Sequence, residues 1–176
     1  MKKKLKRILV CAVIIVVCFL AETTIFRKLA LASIVPNLLI VVTSSFGFMR
    51  GRKEGLIIGF CCGILKDVLG GGLLGFYALT YMMIGYYNGF FKRLFYDEDI
   101  KLPLILISAS EFIYSLITYI FLFMLKSDFR FGYYFGHIIM PELVYTILVT
   151  LGLYQLILHI NRGLEEDEKR SASKFV

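Results

Sequence analysis

From Ile8 to Phe26 the chain is apolar apart from Glu22, Thr23 and Thr24, and four more stretches of the same character follow, divided by short charged loops. A soluble domain of 176 residues has no core large enough to bury so much apolar surface. Hydrophobic residues make up 59% of the chain and charged residues 19%, where a soluble domain is apolar over roughly 45–50% of its length. At about 20 residues per transmembrane helix, the length admits at most about six spans and no separate soluble catalytic domain.

The basic segment Lys2 to Arg7 leads into helix one, which ends at Phe26. The run is too long for a signal peptide, and Glu22-Thr23-Thr24 is not a small-residue cleavage site. Helix two runs from about Ile34 to Met49, with Pro36-Asn37 near its start, where a missing amide donor costs least. The loop Arg50 to Glu54 ends it. Gly55 to Phe91 is too long for one span, and Lys66-Asp67 with the triplet Gly70, Gly71, Gly72 divides it into a short helix three (55–69) and helix four (73–91). Helix five covers 102–125 and helix six 135–160. The predicted fold is all-α: one six-helix transmembrane domain over 1–160, then a charged and mobile cytoplasmic tail over 161–176.

With six spans, Lys2, Lys3, Lys4, Lys6, Arg7, Arg50, Arg52, Lys53, Lys92, Arg93, Lys101, Arg162, Lys169, Arg170 and Lys174 fall on one side. Only Arg27, Lys28, Lys66, Lys126 and Arg130 fall on the other. Basic loops stay cytoplasmic, so this bias puts both termini inside a cell membrane. The formal charge of +7 suits orientation against lipid rather than a nucleic-acid face.

Gly47, Gly51, Gly55, Gly59 and Gly63 recur every four residues, and Asp67 continues the register. Residues four apart share a helix face, so helix three presents a groove of Gly55, Gly59 and Gly63 that ends in a carboxylate. Gly85 and Gly89 repeat the spacing in helix four. Such stripes let backbones approach in lipid, either inside the bundle or against a partner's helix. Ionisable groups within spans are costly and mark function by default. Here they are Glu22, Asp67 and Glu142 towards the outer half, with Lys66 and Arg27 as counter-ions, and Glu111 near mid-membrane beside Ser108, Ser115 and Thr118. Asp67 is the residue expected to matter most, either capping exposed amides of the turn at Gly70, Gly71 and Gly72, which Gly75 follows, or meeting a partner's basic group.

Cys11, Cys18, Cys61 and Cys62 lie in apolar runs and read as packing residues, with no metal or cofactor implied. There is no nucleophile elbow, no zinc-protease motif and no phosphate loop with its lysine, so catalysis is not expected.

The succession Pro36-Asn37-Leu38, Arg50 to Gly55, Gly59-Phe60-x-x-Gly63-x-x-x-Asp67-x-x-x-Gly71, then Leu74-Gly75-x-x-Ala78-Leu79-x-Tyr81-x-x-x-Gly85 resembles the bacterial rod shape-determining MreD family. The resemblance is sharp from about Pro36 to Gly89 and extends over nearly the whole chain in span layout. It implies a multi-pass inner-membrane scaffold of the cell-elongation, lateral peptidoglycan-synthesis machinery. The implied partners are MreC, the MreB filament, RodA and its penicillin-binding transpeptidase. It also implies likeness to the six-helix substrate-binding components of energy-coupling-factor vitamin transporters, which supplies the alternative function. Those components carry an alanine-x-x-x-alanine pattern on helix one; here Ala12 is followed by Val16 and Ala21 by Ile25, which weakens that alternative.

Overall fold

The computed structural model describes residues 2–29, 34–70, 74–94, 100–122 and 131–172. Helix α1 (Lys2–Leu20) passes into a π-helical turn, Ala21–Phe26. Helices α2 (Leu38–Arg50), α3 (Arg52–Gly70) and α4 (Phe76–Asn88) follow, and α4 tightens into a 3-10 turn over Gly89–Leu94. Helix α5 is Lys101–Leu122, with Pro103 in its first turn, where no intrahelical donor is lost. The last helix, α6 (131–172), is α-helical over Phe131–Tyr134, π-helical over Phe135–Ile139 and α-helical again over Met140–Ala172.

Helix α2 occupies the middle. It touches each of the other five helices, and every residue from Leu38 to Met49 is buried. A helix buried on every side belongs inside a larger structure, and its 13 residues, about 20 Å long, are enclosed by the other helices. The outer surface is the reverse of a soluble protein's: Leu5, Leu9, Val13, Val17, Ile105 and Leu148 are all exposed. Among the described residues three segments, Leu5–Phe26, Lys101–Phe121 and Gly132–Glu166, are long and apolar enough to cross a membrane.

Three expectations need correction. Helix three is not short: α3 has 19 residues, because the expected loop shrinks to Gly51. At φ +100° Gly51 turns the chain in a single residue, and Arg52 to Glu54 become the first turn of α3. Second, the helix after Pro36-Asn37 begins only at Leu38, with Asn37 as its cap, its side chain accepting from the Ile40 amide at 3.4 Å. Third, the last helix does not end near Ile160 but runs on to Ala172, and Asn161 and Leu164 are buried. Part of the expected turn (Gly71, Gly72), the acidic loop at 97–99 and the loop from Lys126 to Arg130 lie outside the described residues.

Candidate functional site

The glycine stripe sets where every polar group lands. Helices α3 and α4 are the most closely packed pair, and backbone replaces side chains along their seam. A Cβ on Gly55 would strike the Gly85 carbonyl, one on Gly59 the Tyr81 carbonyl, and one on Gly63 the backbone of Tyr77 and Ala78. Gly85 meets Gly55 in return, Gly89 lies against Gly51 and Arg52, and Gly47 of α2 packs on Gly85. Packing this tight is what drives helices together where the hydrophobic effect between them is absent.

One turn beyond Gly63, the seam delivers Asp67 to the start of α4. Its Oδ2 accepts from the amides of Gly75 and Ala78 at 3.0 and 2.9 Å, and its Oδ1 from the amide of Tyr77 at 3.1 Å. The first amides of a helix have no intrahelical acceptor; α4 begins at Gly75, which has no side chain to cap it and stands at φ +93°. Asp67, 3% exposed, supplies that cap from the neighbouring helix. The described amides it takes belong to Gly75 and the first turn of α4; the expected cap on Gly71 and Gly72 falls outside the described residues. Gly70 closes α3.

Glu22 does the same for α2. The π-helical turn carries it across to the α2 N-terminus, where Oε2 accepts from the amides of Leu38 and Leu39 at 3.0 and 3.4 Å. Its Oε1 pairs with Lys66 at 3.3 Å. The Lys66 ammonium also donates to the Tyr81 hydroxyl at 3.2 Å and lies 5.1, 5.7 and 5.8 Å from the ring centres of Tyr114, Tyr81 and Tyr77, within the range of cation–π attraction. Tyr81 passes the chain on, donating to Asn37 Oδ1 at 2.7 Å, and the Asn37 amide donates to Thr146 Oγ1 at 3.1 Å. One connected network thus joins α1, α2, α3, α4 and α6.

Glu111 and Glu142 complete the polar centre from α5 and α6. Glu111 is fully buried, and the one side chain within hydrogen-bonding reach of its carboxyl among the described residues is the Glu142 carboxyl. Its electrostatic neighbours are Glu142, Lys66 and Glu22. Ser115 and Thr118 carry buried hydroxyls that are without a partner among the described residues, whereas Ser108 donates back to the Leu104 carbonyl. Arg27 makes no ion pair among the described residues, so Lys66 alone of the two expected counter-ions faces the carboxylates.

Two further polar joints were not visible in the sequence. Asn88 of α4 donates to Ser110 of α5 at 2.8 Å and to Ser44 of α2 at 3.5 Å. At the basic end, Arg50 Nε donates to Asn161 Oδ1, and Asn161 donates to Glu165 at 3.0 Å. Tyr77 and Tyr114 also escaped notice, and Tyr81 was seen only as part of a family motif; a lone lysine within an apolar helix was the signal that rings or acids must surround it. Among the described residues no cluster of His, Cys, Asp and Glu could hold a metal ion, and the four cysteines are free thiols.

The class so defined is an all-helical bundle with membrane-length apolar helices, in which buried carboxylates cap the helices of their neighbours. Within that class the chain belongs to the rod shape-determining MreD family, whose model matches residues 2–162, nearly its whole length. The family is a structural component of the Mre cell-shape system. No curated protein and no solved structure matches the chain.

Proposed function

We propose that this protein is a non-catalytic, six-span scaffold of the bacterial inner membrane with both termini in the cytoplasm. In this reading it binds MreC and links it to MreB, RodA and the penicillin-binding transpeptidase during lateral wall synthesis. Family membership supports the role in rod shape. The observation that carries the scaffold reading is the engagement of Asp67 and Glu22: Asp67 spends both oxygens on main-chain amides of another helix, and Glu22 spends one on such amides and the other on Lys66, which suits a rigid body more than a reaction centre. The glycine stripe is taken up by α4, so partners would meet the bundle on its outer apolar faces.

The alternative, a solute-binding subunit of an energy-coupling-factor transporter, drew on the outer carboxylates. Those groups face Lys66 and backbone amides here, which disfavours it. Gentle solubilisation of the tagged full chain, with identification of what co-purifies, separates the two. MreC or wall synthases support the scaffold; an energy-coupling ATPase module overturns it. Depletion should turn rods into round cells while vitamin uptake continues.

A further inference from the structure

The basic end of the bundle carries a pocket of about 820 Å³ between the α2–α3 junction and the 3-10 turn after α4. Its cations are the half-buried Arg50, engaged with Asn161 and Glu165, and the exposed Arg52, Lys53, Lys92 and Arg93, with Tyr86 and Phe90 as its apolar wall. Two glycines build it. Gly51 makes the one-residue reversal, and Gly89 lets the following turn come up against the Arg52 backbone, so two basic segments distant in sequence stand side by side. Lys92 is fixed by donating to the Arg50 carbonyl at 2.9 Å, and the Arg52 guanidinium sits 4.6 Å from the centre of the Phe90 ring. Each keeps further donors free of those contacts. Lys53 and Arg93 make no ion pair among the described residues.

Glu54 lines this pocket and also opens a second, apolar groove of about 510 Å³ between α1 and α3. Its walls include Ile8, Ala12 and Val16 on one side and Ile57, Cys61 and Ile64 on the other. The carboxylate at the junction is paired with Arg7 at 3.3 Å, so it does not oppose an incoming anion with a bare charge. From Glu54 to Leu65 the groove follows α3 for about 16 Å at 1.5 Å per residue, close to half of a hydrocarbon core about 30 Å thick.

A cationic pocket that meets a one-leaflet apolar groove at a shared residue, Glu54, has the chemistry of one molecular class. We infer that this end of the protein is a binding site for an anionic phospholipid, its phosphate among Arg52, Lys53, Lys92 and Arg93 and one acyl chain between α1 and α3. The site rests on the membrane-spanning reading above. Basic pockets at the membrane surface bind acidic headgroups through such side chains.

The test uses the purified full chain in detergent, with thermal unfolding followed as phosphatidylglycerol, phosphatidylcholine, inorganic phosphate or glycerol phosphate is added. Phosphatidylglycerol alone should protect. The triple variant R52Q/K53Q/R93Q should bind it roughly 100-fold more weakly, three surface charges each contributing about fivefold. The groove-filling Cys61→Phe should also lose protection while keeping all four exposed cations. Should the triple variant fail to fold, added salt on the wild-type chain serves instead: it should weaken phosphatidylglycerol binding and leave phosphatidylcholine unaffected. Equal protection by both lipids, or full protection by phosphate alone, overturns the site. Alkaline carbonate extraction keeps the two readings apart: release from membranes sinks the spanning reading, whereas retention without lipid preference sinks only the lipid site.

Discussion

Asp67 and Ala78 are joined by a 2.9 Å hydrogen bond from the Ala78 amide to the Asp67 carboxylate, across the seam where Gly63 lies against the Ala78 backbone. The glycine brings the two helices close, and the acid locks them at that distance. Removing either should loosen the same joint.

Asp67→Ala should therefore leave three amides without an acceptor, at about 1–3 kcal/mol for each donor that stays buried. Asp67→Asn keeps one acceptor oxygen and should fall between wild type and the alanine variant. Melting temperature in detergent and steady-state abundance in membranes measure both. Normal abundance with lost partner binding in Asp67→Asn would instead make this end of α3 a docking site.

Glycine substitutions should divide cleanly by position. Gly55→Ala and Gly85→Ala put a methyl into facing backbone, and overpacking of this kind costs about 1–3 kcal/mol. Gly152, in α6, has nothing within reach of a new Cβ, so Gly152→Ala should hold stability or raise it by up to about 1 kcal/mol through helix propensity. Equal loss at all three positions would refute the seam.

The Glu22 and Lys66 pair should respond as a unit. Lys66→Met strands a partly buried carboxylate, and breaking such a pair costs about 3 kcal/mol or more. Adding Glu22→Gln removes the stranded charge while retaining an acceptor for the Leu38 amide, so the double variant should be more stable than Lys66→Met alone. A double-mutant cycle on melting curves reads the coupling; strict additivity would show the two side chains to be independent.

Topology is open to reporter fusions. Fusions after Phe91 and after Val176 should report cytoplasm, and fusions after Lys28, Gly72 and Ser127 the opposite face. An external signal at Val176 would overturn the orientation.

The helices were legible because each apolar run has a charged boundary, and the glycine seam because a period of four survives from chain to helix face. What escaped the sequence depends on contacts between segments far apart. Nothing in the composition of Leu38 to Met49 marks it as the central helix rather than one more lipid-facing span. The acid was in plain view at Asp67, yet its amide partners depend on Gly75 adopting a positive φ, which is settled only when α4 docks. Tyr77 and Tyr81 are four apart and share a face, but Lys66, the cation they surround, comes from another helix. The charges after Ile160 looked like solvent-seeking tail; their Glu, Lys and Arg residues are also good helix formers, and α6 simply continues through them.

That continuation gives the molecule a mechanical element. Beyond Asn161, α6 extends by about 16 Å at 1.5 Å per residue, and the clamp of Arg50 on Asn161 and Glu165 grips it where it leaves the bundle. Leu164, one turn beyond Asn161, is also buried, so the grip on α6 reaches past that joint. Arg50, at the end of the central helix α2, thereby acts as a rivet that sets where α6 leaves the bundle.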